Sequence, residues 1–165
     1  MMRLLLCVLL SAQAWAVETS STAEARFYRY ELNNFLGVQV TDQWGSMVGA
    51  QFGLAPVKRT VFYVGPEVSF SNFPGGSLFE VLASGWYEVR IYGAPRLSLA
   101  FGLLAGVGVA SNLPKLGSVC TITYLDVGIS QEISDLASVK GSFRPGFVGG
   151  YYSFIMSLGV TFHFL

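Results

Sequence analysis

The chain has 165 residues, of which 52% are hydrophobic, 15% are aromatic and only 12% are charged, and its mean hydropathy is +0.51. This composition is too apolar for an ordinary water-soluble domain, and the length allows one domain at most. Ten basic and ten acidic residues give a formal net charge of zero, so no basic surface indicates nucleic-acid binding.

The first 16 residues have the features of an export signal. Arg3 gives a basic start, residues 4–10 are apolar, and Ala14-Trp15-Ala16 has the small-x-small pattern that a signal peptidase cleaves. We therefore expect a signal peptide over residues 1–16, cleaved after Ala16, and a short lead-in over residues 17–29. Cleavage would leave Cys120 as the single cysteine, so no internal disulfide is expected.

From about Tyr30 onward, apolar side chains alternate with small or polar ones, which is the period of a β-strand. Clusters of Gly, Pro, Asn, Asp and Ser separate the alternating segments. The predicted strands cover residues 36–41, 48–54, 62–70, 81–91, 96–109, 124–130, 139–144 and 154–164. The sequence therefore predicts an all-β domain of eight strands over residues 30–165.

The two faces of these predicted strands differ in charge. One face is continuously apolar, and the other carries Glu67, Glu88, Arg90, Arg96, Asp126, Glu132, Lys140 and Arg144. A charge on the lipid side of a membrane strand costs about 2–4 kcal/mol at the midplane, and a sheet in lipid must close to pair its backbone. We therefore predict a closed antiparallel eight-stranded transmembrane β-barrel, with the apolar face outside and the charges in the lumen.

Two other folds fit parts of the sequence. Residues 97–114 and 145–165 contain no charge and are long enough for transmembrane helices. Both stretches nevertheless keep the two-residue alternation, and helices would leave residues 61–92 unexplained. A secreted soluble β-sandwich is the second alternative.

The predicted eighth strand ends in Ser157-Leu158-Gly159-Val160-Thr161-Phe162-His163-Phe164. Together with the signal peptide and the strand pattern, this ending makes residues 30–165 resemble the small eight-stranded outer-membrane barrels of Gram-negative bacteria, such as the OmpA transmembrane domain and OmpX. The resemblance implies that Phe162 and Phe164 form the assembly signal read by the barrel-assembly machinery, although Leu165 follows the final aromatic residue. It also implies a bacterial outer-membrane location, with outer-membrane lipid or lipopolysaccharide as contact partners.

The resemblance further implies a periplasmic start of the barrel. Outer loops are then expected at residues 42–46, 72–77, 111–118 and 145–152, and periplasmic turns at residues 55–59, 93–95 and 133–138. The outer loops are short, and their only ions are Asp42 and Lys115. Adhesion and receptor binding usually need more loop surface than this.

An eight-stranded barrel has an interior that its own side chains can fill. The sixth and seventh strands are expected to form a hairpin, in which inward residues of equal parity face each other. We therefore predict ion pairs between Asp126 and Arg144 and between Glu132 and Lys140. Because an unpaired charge in a narrow lumen is costly, these pairs are expected to be structural, and a gated ion path is the alternative.

The sequence supplies little for catalysis. The one histidine, His163, has its nearest inward serine on the same strand at Ser157, six residues or roughly 20 Å away, which is beyond proton-transfer reach. Cys120 lacks a metal-binding pattern, so no catalytic, cofactor or metal site is expected. We expect a non-enzymatic protein with a structural, membrane-integrity or small-solute role. The alternatives are a narrow ion channel and a lipid A-modifying acyl hydrolase, which would need a serine from a neighbouring strand beside His163.

Overall fold

Eight antiparallel β-strands form one closed sheet in the computed structural model, which describes residues 30–55, 62–91 and 93–164. The strands are β1 (Tyr30–Val40), β2 (Trp44–Leu54), β3 (Phe62–Phe73), β4 (Gly76–Ile91), β5 (Ala94–Ser111), β6 (Val119–Ser134), β7 (Ala137–Val148) and β8 (Tyr151–Phe164). Each strand pairs with the next along the chain, and β8 pairs with β1 in a register that runs from Tyr30 opposite Phe164 to Val40 opposite Phe154. Closure removes both sheet edges, and the predicted closed antiparallel eight-stranded barrel is confirmed.

The strands are longer than the sequence predicted. β6 already begins at Val119, five residues before the predicted strand, and β7 continues through Pro145 to Val148, where the sequence predicted an outer loop. The alternation of side chains persists through both stretches. The expected signal peptide and lead-in, Leu165 and most of the predicted turn at residues 55–59 lie outside the described residues.

The two stretches considered as transmembrane helices lie mainly in strands. Residues 97–114 belong largely to β5, and residues 145–165 belong largely to β7 and β8. Among the described residues, no helix is long and apolar enough to cross a membrane. The helical alternative is therefore wrong, because a two-residue period aligns the apolar side chains of these stretches on one face of a strand.

The outer face of the barrel is apolar around its whole circumference. Leu36, Leu103 and Leu158 are 68%, 58% and 63% exposed, and similar side chains point outward from every strand. Apart from Arg96, which is exposed near the lower end of β5, no Asp, Glu, Lys or Arg occupies an outward position in a described strand. A soluble sandwich would present polar residues to water at these positions, so this alternative is also wrong.

The interior of the barrel differs between its two ends. We call the end at which β1 begins and β8 ends the lower end, and the opposite end the upper end. The upper half contains buried polar residues such as Gln39 and Glu80 and is otherwise filled by an apolar plug. The plug consists of Phe35, Met47, Phe73, Leu78, Leu82, Leu104, Leu113, Cys120, Ile122, Tyr124, Val148 and Ile155. Most of the buried charged side chains lie in the middle and lower parts of the lumen.

Inward glycines make room for bulky neighbours in this lumen. A Cβ atom on Gly49 would collide with the ring of Phe35, and one on Gly53 would lie 2.5 Å from the Trp86 ring. Trp86 stacks on Tyr63, with their ring centroids 5.5 Å apart. Small inward residues therefore face large ones, which packs the interior without a wide pore.

Candidate functional site

Four charged side chains meet in the middle of the lumen, and we call Glu67, Asp126, Lys140 and Arg144 the central ion cluster. Arg144 Nη1 donates a hydrogen bond to Glu67 Oε1 at 2.6 Å, and Arg144 Nε lies 3.3 Å from Asp126 Oδ1. Lys140 Nζ lies 3.7 Å from Asp126 Oδ2. The four side chains are at most 4% exposed. Two cations and two carboxylates balance each other, which limits the penalty for removing these charges from water.

Aromatic rings complete the surroundings of both cations. The Arg144 guanidinium lies 4.9 Å from the ring centroid of Phe35, and Lys140 Nζ lies 5.4 Å from that of Trp86. Both distances are within the range of a cation–π interaction. Each cation therefore has a carboxylate and an aromatic ring as partners.

The Glu67–Arg144 pair joins two interruptions in the barrel wall. Pro66 precedes Glu67, and the β2–β3 ladder skips two residues there. Pro145 follows Arg144, and the β6–β7 ladder skips two residues there as well. A proline cannot donate to a ladder, so both gaps have the same local cause. The ion pair, whose members are 77 residues apart in sequence, therefore links two weak points of the wall across the lumen.

The structure brings Asp126 and Arg144 together, as the hairpin register of β6 and β7 predicts. The predicted pair of Glu132 with Lys140 is wrong, because Lys140 reaches Asp126 instead. Gly128 explains the direction of the lysine side chain. A Cβ atom at this glycine would lie 3.2 Å from Lys140 Cε, so the glycine leaves the space in which the chain extends.

Glu132 pairs with Arg90, a residue of β4 that the sequence also assigned to the lumen. Arg90 Nη2 donates to Glu132 Oε1 at 2.8 Å, with side chains 31% and 29% exposed. The pair therefore lies near the lower opening, where water screens it. Its two residues belong to β4 and β6, which lie on either side of β5. No single hairpin therefore predicts this pair.

The remaining two predicted lumen ions form no ion pair with a described residue. Arg96 is exposed, because the register shift beside Ile91 removes residues 95–97 from the β4–β5 ladder and leaves the arginine at the lower rim. Glu88 has the inward parity of β4 and is partly buried in the lower part of the lumen. The general expectation that charges in the lumen are paired is therefore not met by these two residues within the described part of the chain.

A further carboxylate in the lumen, Glu80 of β4, is not among the lumen charges predicted from the sequence, and it is fully buried. Its Oε1 accepts hydrogen bonds from Gln39 Nε2 and from the Tyr124 hydroxyl, both at 3.0 Å, and its Oε2 accepts one from Ser69 at 2.8 Å. The predicted strand began at Val81, so this position was not assigned to a face. Even-numbered residues of β4 face the lumen, so continuing the alternation back by one residue from Val81 would have assigned the Glu80 carboxylate to the lumen.

At the lower end, Glu31, His163, Ser138 and Ser130 form a hydrogen-bonded chain that we call the lower relay. His163 Nδ1 lies 3.1 Å from Glu31 Oε1, and His163 Nε2 lies 3.0 Å from Ser138 Oγ. Ser130 Oγ donates to Ser138 Oγ at 3.1 Å. The chain connects β1, β8, β7 and β6, so it spans the seam at which the barrel closes.

The lower relay includes Ser138, which lies on the strand next to that of His163. A serine at such a position is what an acyl hydrolase at this histidine would require. Ser138 lies opposite Thr161 in the β7–β8 ladder, which brings its hydroxyl beside the histidine two residues further along β8. A serine, an imidazole and a carboxylate in this order are the elements of an activated nucleophile. Ser138 is only 1% exposed, however, which restricts the approach of a substrate.

A closed eight-stranded sheet with an apolar outer face and a charged, filled lumen is the architecture of the small transmembrane β-barrels. The chain is similar to the crystal structure of Neisserial surface protein A, NspA, with 17% identity, a TM-score of 0.63, and coverage of 84% of this chain and 97% of that chain. It is also similar to the N-terminal β-barrel domain of Pseudomonas aeruginosa OprF, with 16% identity, a TM-score of 0.59, and coverage of 84% and 100%. A de novo designed transmembrane β-barrel matches with 14% identity, a TM-score of 0.51, and coverage of 85% and 98%.

No family model and no curated protein matches the sequence. At these identities the structural similarity defines the fold, which is that of the eight-stranded transmembrane β-barrels. The two bacterial structures are outer-membrane barrels, so the resemblance inferred from the strand pattern is confirmed.

Proposed function

We propose that the protein is an integral barrel of the bacterial outer membrane and serves as a sealed, non-enzymatic structural element in contact with lipid. The observation that carries this proposal is the apolar plug inside an apolar outer face. Leu78 and Ile155 in the plug are fully buried, and the polar side chains among them, Gln39 and Glu80, are also fully buried and hydrogen-bonded to each other. Ions and water would therefore have to cross a close-packed interior to pass the upper half. This packing disfavours the narrow ion channel and small-solute passage.

Lipid contact is supported by the absence of charge on the outer face of the described strands, apart from Arg96 near the lower end of β5. Outer-membrane lipid or lipopolysaccharide is therefore the proposed partner of this face. Phe162 and Phe164 point outward, 43% and 49% exposed, and we retain them as the proposed signal for the barrel-assembly machinery. Export with cleavage after Ala16 belongs to the same proposal.

The purified barrel should not conduct ions. After refolding into planar bilayers at neutral pH, we expect no current steps above the baseline, with an open porin as the positive control for the assay. Folding would be established beforehand by a β-sheet circular dichroism spectrum and a boiling-dependent shift in gel mobility. Reproducible steps from the folded, shifted species would contradict the sealed barrel and favour the channel.

The lower relay favours a second candidate function, a serine-dependent acyl hydrolase with Ser138 as the nucleophile and His163 as the base. The hydrogen-bond distances between serine, histidine and Glu31 fit this chemistry. The burial of the serine and its second hydrogen bond to Ser130 fit a structural relay better. We therefore rank the hydrolase below the structural role.

A comparison of two serine variants separates these functions. If the role is structural, a fluorophosphonate probe should not label the folded barrel. In cells that lack the native protein, the Ser138→Ala variant should restore the barrier against hydrophobic dyes to the same extent as the wild-type protein. The matched control is Ser130→Ala, which shortens the same relay without touching the histidine. Labelling that disappears in Ser138→Ala and persists in Ser130→Ala would establish the hydrolase instead.

A further inference from the structure

A polar side chain interrupts the apolar outer face on β1, close to the seam at which the barrel closes. Asn34 has the outward parity of this strand and is exposed. Its neighbours in the two ladders are Ala50 of β2 and Val160 of β8. The Asn34 carboxamide makes no hydrogen bond with any described residue. The other outward side chains around it are all apolar, namely Leu32, Leu36, Val48, Phe52, Leu158 and Phe162.

The depth of Asn34 makes this exposure costly in a membrane. Asn34 is the fifth of the 11 residues of β1, four residues above the lower end of the strand. At roughly 3.4 Å per residue and a strand tilt of about 40°, the carboxamide lies about 10 Å above that end, inside an apolar band about 25 Å tall. A polar group at this depth has lost its hydrogen bonds to water, and hydrocarbon supplies none in return.

Asn34 differs in this respect from the other outward carboxamides of the described strands. Asn72 is the next-to-last residue of β3, and Gln131 is three residues from the end of β6. Both lie close to a membrane surface, where water or lipid headgroups can serve as hydrogen-bond partners. The Asn34 carboxamide, in contrast, needs a partner that reaches into the hydrocarbon.

A second copy of this chain meets that need. A carboxamide has both donors and an acceptor, so two asparagine side chains can hydrogen-bond to each other. Two copies inserted in the same direction hold Asn34 at the same depth, and a two-fold axis along the membrane normal brings the two residues face to face. An acyl chain offers no hydrogen bond, and a lipid headgroup stays at the membrane surface.

The side chains around Asn34 have a shape that suits such a pair. Leu36 and Leu158 lie directly opposite each other in the β1–β8 ladder and project outward, 68% and 63% exposed. On the other side of Asn34, β2 presents the smaller side chains of Val48 and Ala50. A two-fold axis places the β8 side of one copy against the β2 side of the other. The projecting leucines of one copy therefore meet small side chains, which allows the two walls to approach closely.

We propose that a second copy of this chain docks on this sector of the outer wall and that the two Asn34 carboxamides hydrogen-bond to each other across the interface. We call the sector formed by Asn34, Leu36, Ala50 and Leu158 the Asn34 face. The inference rests on the proposed membrane location, because only hydrocarbon removes water from the carboxamide. It goes beyond that location, since it assigns a partner and a residue that recognises it.

The test compares two variants that each replace one outward carboxamide by leucine in the full barrel. Asn34→Leu removes the proposed contact, and Gln131→Leu is the matched control near the end of β6. Sedimentation equilibrium in density-matched detergent micelles measures the dissociation constant of the dimer. We expect wild type and Gln131→Leu to dimerise equally, and Asn34→Leu to dimerise about tenfold more weakly. Asn34→Gln keeps a carboxamide at this position and should retain more of the dimer than Asn34→Leu.

Equal dissociation constants for Asn34→Leu and Gln131→Leu would overturn the proposal. Folding of each variant is established beforehand by the boiling-dependent shift in gel mobility, and Asn34→Val takes the place of Asn34→Leu if the leucine variant does not fold. A wild-type barrel that inserts into bilayers but stays a monomer would reject the dimer alone, and a lipid retained by that monomer would identify lipid as the occupant instead. Failure of the wild type to insert would reject the membrane location together with the dimer, so the two failures are distinguishable.

Discussion

Replacing Arg144 by alanine should lower the free energy of unfolding by about 3–5 kcal/mol, the effect of breaking a buried ion pair by removing one partner. Glu67 and Asp126 would remain in the lumen without their nearest cation, and the link across the barrel between Pro66 and Pro145 would be lost. The effect would be measured by urea unfolding of the refolded barrel in detergent micelles, followed by gel mobility without boiling. This measurement therefore shows how much the central ion cluster contributes to the free energy of unfolding.

Arg90→Ala is the matched control for this prediction. Its pair with Glu132 is about 30% exposed on each side, and exposed pairs contribute roughly 0–1 kcal/mol. A double variant that combines Glu67→Gln with Arg144→Met should recover much of the stability lost in Arg144→Ala, because it removes one charge of each sign. An Arg144→Ala barrel as stable as the Arg90→Ala barrel would contradict the structural role of the central ion cluster.

The second large effect is expected in the apolar plug. Leu104 is 1% exposed inside the lumen, and its truncation to alanine should cost about 2–5 kcal/mol because the surrounding side chains cannot fill the cavity. Leu103, the adjacent residue, is 58% exposed on the outer face. Its truncation should change the free energy of unfolding by about 0.5 kcal/mol or less, since surrounding hydrocarbon chains take the place of the lost methyl groups.

The pair of leucine variants is checked by the urea midpoints of both proteins under identical micelle conditions. Because the residues are neighbours on β5, their chemical change and strand position are the same, and only the face differs. Equal destabilisation of the two variants would mean that the plug is not packed as a core, and it would contradict the sealed lumen.

The arrangement of the lumen suggests how a barrel tolerates prolines in its wall. A closed sheet has no edge strand, which is where a proline usually occurs, so Pro66 and Pro145 each interrupt a ladder. The 2.6 Å contact between Glu67 and Arg144 lies beside both interruptions. This short contact between two charged groups therefore lies where the backbone pairing of two ladders is interrupted.

Much of the fold follows from the sequence alone, because side chains in a strand alternate between two faces. The absence of charge from one parity predicted the apolar outer face, and the number of alternating segments predicted eight strands. The strand ends were predicted less well, since Gly and Ser near the turns of β6 and β7 continue the strands instead of ending them. The pair of Asp126 with Arg144 was also within reach, because a short hairpin fixes which residues of two adjacent strands face each other.

The contacts that cross the lumen were decided only by the tertiary structure. The pair of Glu67 with Arg144, the hydrogen bonds of Glu80 and the lower relay through His163 each join strands that are distant in sequence. Their distances depend on how the sheet closes and how neighbouring strands are staggered, and the alternation pattern contains neither quantity. The missing side chain of Gly128 likewise leaves the space through which Lys140 extends to Asp126, and this space is visible only in the folded barrel. The sequence therefore determined which residues face inward and that the barrel faces hydrocarbon, whereas closure of the barrel determined which inward residues meet.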